Sequence, residues 1–190
     1  MPALSKRDQL VEHALNLFYQ HGFHATGIDL IIATAQVSKK TLYNHFKSKE
    51  ELIIATLEKR DRDFQAFLIT EIEQRATMPI EKLTAVFDVL DLWFNQASFS
   101  GCMFINASAE YPLFNDPCHQ VCSQHKKAIA DYILSLAQAA KFQNAERLTK
   151  QLMLIIEGAI VEAHVNDNKQ AAKEAKELAL LVIGQYGLAV

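Results

Sequence analysis

Val37-Ser-Lys-Lys-Thr-Leu-Tyr-Asn-His-Phe46, followed at once by Lys47-Ser-Lys-Glu-Glu-Leu52, is the stretch that decides how this chain is read. Its first part reads as a nine-residue helix with Leu42 and Phe46, four apart, as the buried pair. At about 100° per residue, Lys40 and Asn44 then point away from the core. Lys39 and Tyr43 fall on one flank, Thr41 and His45 on the other. A short helix that buries two side chains and turns Lys, Thr, Tyr, Asn and His outward suits a polar, anionic partner. Duplex DNA is that kind of partner.

The preceding residues extend the pattern. Thr26-Gly-Ile-Asp-Leu-Ile-Ile-Ala-Thr-Ala35 reads as a second short helix, with Thr26 as its N-cap and Asp29 three residues on. Gln36-Val37 is a tight link to Ser38, an N-cap for the next helix. Two short helices so joined make a helix-turn-helix, whose second member enters a major groove. Lys40, Thr41 and Asn44 are then the candidates for base edges, Lys to guanine and Asn to adenine. Thr26, Gly27, Tyr43, His45 and Lys49 are candidates for phosphates, the first two because a helix N-terminus attracts anions. Lys39 suits either role.

The remaining segments also have helical period, so the fold class is all-α with about nine helices. Ser5 and Asp8 predict the start of a first helix that Gly22 ends. A long helix is expected from Ser48 to about Ala76, and Pro79 opens another. Cys102–Glu110 forms a short one, Asp116-Pro117 begins the next, Asn144 caps an eighth, and the last runs from about Asn168 to Leu188. The functional division falls near residue 50. It separates a DNA-binding head of three helices (1–50) from an effector-binding and dimerisation body (51–190).

Composition bounds the function. Half the residues are hydrophobic and 22% are charged, as in ordinary globular proteins. The chain has no apolar run that would span a membrane and no secretory h-region at its start, which points to a cytoplasmic protein. Three cysteines, an odd number, favour free thiols over a disulfide framework. The net charge of −3 is unevenly spread: residues 1–60 hold eight Lys and Arg against six Asp and Glu, the rest eleven against sixteen. The positive excess sits on the helix-turn-helix. There is no Gly-rich phosphate loop, nucleophile elbow, His-Glu-x-x-His helix or Cys-x-x-Cys pair, so an enzyme is not expected, nor is a cofactor.

Gly22-Phe23, Thr26, Ile28, Ile32-Ala33, Val37-Ser38, Thr41-Leu42-Tyr43, Phe46, Ser48-Lys49-Glu50 and Leu52 together resemble the N-terminal domain of the TetR family of bacterial regulators. The resemblance implies a dimer that binds double-stranded operator DNA through this head and is released by a small-molecule effector. Repression is the family's usual mode. Lys40 stands where glycine is frequent, and Asn44-His45 where His-Tyr is frequent, so no relative's operator transfers to this chain. Dimerisation is expected through the last two helices. Gln151–Ala163 is apolar almost all round, and Ala171, Ala175, Leu178, Ala179 and Val182 line the final helix.

In the body, Cys102, Asn106 and Glu110 share one helix face, and His125 points inward with an apolar stripe. Asn106, Glu110, His125 and Glu157 are candidate polar contacts of an effector pocket, with Phe67, Trp93, Phe94, Met103 and Phe104 as its wall. The alternative is a structural network in which His125 hydrogen-bonds a carboxylate. Cys118, Cys122 and His125 at i, i+4 and i+7 have zinc-ligand chemistry, but they also continue the apolar stripe and lack a clear fourth ligand, so no metal is expected. Cys102, at a helix start, is placed for thiol-based redox sensing by a repressor of the same fold.

Overall fold

Ser5 caps the first helix as its spacing from Asp8 requires: the Asp8 N–H donates to the Ser5 hydroxyl at 3.1 Å. The computed structural model describes residues 5–187, and nine α-helices occur among them. The first is α1 (Lys6–His21), closed by Gly22 at φ 84°. After it come α2 (Ile28–Thr34) and α3 (Lys39–His45). The third helix has seven residues rather than the nine expected, because Phe46 already leaves helical geometry at φ −136°. Ser38 caps it as predicted, accepting from the Thr41 N–H at 3.0 Å. Gln36, in the link between α2 and α3, takes the left-handed conformation at φ 51°.

The cap of α2 differs from expectation. Gly27 is the N-cap and makes no side-chain bond. Thr26 is fully buried, and its hydroxyl donates back to the Gly22 carbonyl at 2.7 Å. The hydroxyl thus closes the end of α1 and is not available to open α2.

The following elements are α4 (Lys49–Arg75), α5 (Pro79–Phe94), α6 (Met103–Glu110), α7 (Pro117–Ala139), α8 (Ala145–Val165) and α9 (Ala171–Gly184). The chain packs as two compact units. One holds the residues up to Asp63 together with Cys102–His125; the other holds Phe64–Gly101 and the residues from Lys126 onward. Packing therefore divides the chain at places other than residue 50.

In the first unit α1 packs on both α2 and α3, and Leu10, Ala14, Phe18, Ile31, Leu42 and Phe46 are all buried. The Phe18 and Phe23 rings stack at 5.2 Å. Lys59 of α4 reaches Glu12 of α1 at 3.1 Å. In the second unit α9 packs on both α5 and α8. Leu148, Leu152, Ile156, Ala159, Ile160 and Ala163 form the buried stripe of α8. Asn144 sits at the N-cap of α8 without a side-chain bond. α9 starts at Ala171, later than the expected Asn168, because Asn168 instead holds a turn by accepting from the Gln170 N–H at 2.9 Å. The expected end at Leu188 lies outside the described residues. Gly101, at φ 80°, passes so close to the His164 ring that a Cβ there would lie 2.6 Å from it.

Candidate nucleic-acid interface

Burial of Leu42 and Phe46 fixes which side of α3 is presented. Lys39, Lys40, Tyr43, Asn44 and His45 are exposed, and Thr41 is half-buried with its hydroxyl 2.8 Å from that of Ser38. Lys39 lies 3.5 Å from the Asp29 carboxylate, a loose and largely solvated pair worth little. The face thus carries two lysines, a phenol, an amide and an imidazole on a seven-residue helix. Those groups match the acceptors of a groove floor and its phosphate rims. Gly27 is exposed at the start of α2. With the Thr26 side chain turned inward, only backbone groups of that residue remain for a phosphate. Lys49, in the first turn of α4, extends its Nζ to the His24 carbonyl at 3.4 Å.

Glu110 occupies a place its sequence position does not suggest. It was expected to face an effector, yet both its oxygens are engaged by the turn between α1 and α2. The Phe23 N–H donates to one oxygen at 2.8 Å, and the His24 N–H to the other at 2.6 Å. The His24 ring Nδ1 lies 2.6 Å from the second oxygen, and Tyr111 stacks on that ring at 5.1 Å. No local signal pointed to this, because the partners are 86 and 87 residues apart in the chain. Burial alone would raise the carboxyl's pKa, but the two amide donors and the imidazole outweigh it and hold Glu110 below the ordinary 4.5. A depressed carboxyl stabilises the fold at and above its unfolded-state pKa. The contribution is lost as pH falls through the lower folded-state value. Urea midpoints followed from pH 6 to about 3 are therefore expected to fall less steeply for Glu110→Gln than for the wild type; parallel curves would contradict the assignment.

The other candidate pocket residues divide between the two compact units. Met103, Asn106, Glu110 and His125 belong to the first; Phe67, Trp93, Phe94 and Glu157 belong to the second. His125 is buried, with Nδ1 2.6 Å from an Asp61 oxygen and its ring stacked on Phe104 at 3.6 Å. That is the geometry of the structural alternative. Glu157 accepts from Lys126 at 2.7 and 2.8 Å. Trp93, Phe94 and Met103 are core, and Phe67 is half-buried against Phe64. Glu110 and Glu157 each find a partner within the protein, as a carboxylate leaving water must, so neither needs an effector to satisfy it.

The cysteines are buried. Burial pushes the Cys118 thiol up to about 12, with the Asp116 carboxylate adding to the effect. It stays protonated, unlike a metal-bound or redox-active thiolate. Cys102 is the N-cap of α6 but is only 5% exposed, which restricts an oxidant's access.

Residues 10–56 match the family model for bacterial regulatory proteins, tetR family. Residues 79–179, more than half the chain, match that of the tetracyclin repressor-like C-terminal domain. Among curated proteins, the HTH-type transcriptional regulator YjdC of Escherichia coli is 22% identical over 174 residues, covering 92% of this chain and 91% of that protein. The HTH-type transcriptional repressor KstR2 of Mycolicibacterium smegmatis is 38% identical over 86 residues, 44% of this chain and 40% of that one. Among solved structures, SCO4454, a TetR-family transcriptional regulator from Streptomyces coelicolor, superposes with a TM-score of 0.88 at 28% identity, covering 95% of this chain and 89% of that chain. Together with the solvent-facing polar surface of α3, these matches establish that the chain belongs to the TetR family of bacterial regulators and is a DNA-binding transcriptional regulator.

Proposed function

We propose that the protein works as a homodimeric repressor that leaves a pseudo-palindromic operator when a small molecule binds its C-terminal body. The exposed, cationic and amide-bearing face of α3 carries this reading. Each protomer's α3 enters one of two successive major grooves, where Lys40, Thr41 and Asn44 read base edges. Tyr43, His45, Lys49 and the Gly27 end of α2 rest on phosphates and set the register, and Lys39 serves either role. The division into a head at residues 1–50 and a body at 51–190 follows this function. In the body, Asn106 of the first compact unit remains a candidate effector contact. The effector acts by binding more tightly to a state of the dimer whose two recognition helices no longer match the operator spacing.

Dimerisation is supported by an apolar surface that one chain leaves in water. Leu154, Val161 and Val165 of α8 and Leu178 and Leu181 of α9 are all exposed, Leu154 at 74% and Leu181 at 70%. Between the helices runs a groove of about 370 Å³ whose lining includes Leu154, Gly158, Ala175 and Leu178. Patches of that kind on a soluble protein mark association sites. A second copy fits by C2 symmetry, which brings the same surface to itself.

Footprinting of the purified protein on DNA upstream of its own gene tests the reading. Two protected half-sites about 10 base pairs apart, centre to centre, are expected, with affinity falling steeply as salt rises. Absence of protection at low ionic strength would overturn it.

A further inference from the structure

A turn that leaves a helix must find acceptors for the N–H groups it exposes. Between α1 and α2 the chain reverses at Gly22, at φ 84°. The N–H groups of Phe23 and His24 then face one carboxylate, that of Glu110 at the end of α6. The fit is close: a Cβ at Gly22 would lie 3.0 Å from a Glu110 oxygen, so a side chain there would press the carboxylate back by a few tenths of an ångström. Tyr111 completes the grip, stacked on the His24 ring and edge-on to Phe23 at 6.3 Å. The carbonyls of the same turn bond to other residues of the head. The His24 carbonyl receives Lys49 Nζ, and the Gly22 carbonyl receives the Thr26 hydroxyl.

We infer that Glu110 is a positioning residue for DNA binding. By holding the Phe23 and His24 N–H groups, it fixes the turn whose carbonyl anchors Lys49 and so aims that ammonium at a backbone phosphate. The inference rests on the operator-binding reading. It takes Glu110 out of the effector's contacts and makes it the point at which α6 touches the DNA-binding head. A residue of this kind controls phosphate attraction and leaves base reading alone, because no group on α3 bonds to it.

The test is a double-mutant cycle on the full-length protein. Wild type, Glu110→Ala, Lys49→Ala and the double variant are titrated against the footprinted operator and against random duplex across a salt series. Melting temperature and subunit mass are recorded for each. Glu110→Ala is expected to lose about tenfold in affinity on both DNAs, the scale of a lost charge-assisted hydrogen bond. Its dependence on log salt should be shallower by about one, as for Lys49→Ala. In the double variant the second change should add little. Two results would overturn the inference: wild-type affinity in Glu110→Ala, or losses at the two sites that simply multiply. Should Glu110→Ala fail to fold, Glu110→Gln, which keeps one neutral acceptor, is judged by the same two criteria. If the wild type binds no DNA, the regulator reading falls and this inference with it. If the wild type binds and the Glu110 variants bind as well, only the inference falls.

Discussion

Leu154→Asp combined with Leu181→Asp is expected to give a folded monomer that has lost about a thousandfold or more in operator affinity, the usual gap between specific and non-specific binding. Both side chains are mostly in water in the single chain, so the substitutions place carboxylates where the isolated fold already meets solvent. Across a two-fold axis the same changes bury four uncompensated charges in one interface. Leaving such a charge unpaired costs several kcal/mol each, enough to abolish assembly. A lone head then makes the base and phosphate contacts of one half-site only, and loses those of the other. Light scattering, a melting curve and a gel shift on one preparation settle the matter. Gly158 offers an independent probe, because a Cβ there meets nothing within 4 Å in the single chain. Gly158→Phe should therefore be tolerated by the protomer and rejected by the dimer. A double Asp variant that stays dimeric would place the interface elsewhere.

The recognition helix should respond differently. Asn44→Ala is expected to cost about 1–3 kcal/mol on the operator, with discrimination relaxed at one base pair in each half-site. Lys40→Ala should relax another. Neither side chain is buried, so neither change should move the melting temperature by much. A library of operators carrying every single base change reads the result directly. Equal loss on operator and random DNA would remove Asn44 from base reading and assign it to the backbone.

The local rules carried the head a long way. Ser5 and Ser38 bond to the N–H three residues on, and Gly22 ends its helix with positive φ, each because a helix end must satisfy its own neighbours. Leu42 and Phe46 follow from the 3.6-residue period in the same way. Thr26 marks where such reasoning stops. Its spacing to Asp29 fits a capping box, but the turn after Gly22 folds it inward and the hydroxyl finds a carbonyl behind it. The role of Glu110 and the identity of the carboxylate that His125 bonds were beyond reach for another reason. The two residues' partners, Phe23 with His24 and Asp61, lie far away in the chain, and helical periodicity says which face a residue occupies without saying what the face meets. α8 shows the same limit. A sequence apolar almost all round suggests burial on both sides, whereas the single chain covers one stripe and leaves Leu154, Val161 and Val165 uncovered.

That uncovered stripe also bears on how long the protein lasts. A subunit whose partner binds only its folded form gains stability from mass action. Dilution should then shorten its lifetime under proteolysis while it lowers occupancy of the operator. Synthesis rate would set both abundance and persistence, and a cell that stops making this regulator would clear the remainder faster than growth alone dilutes it.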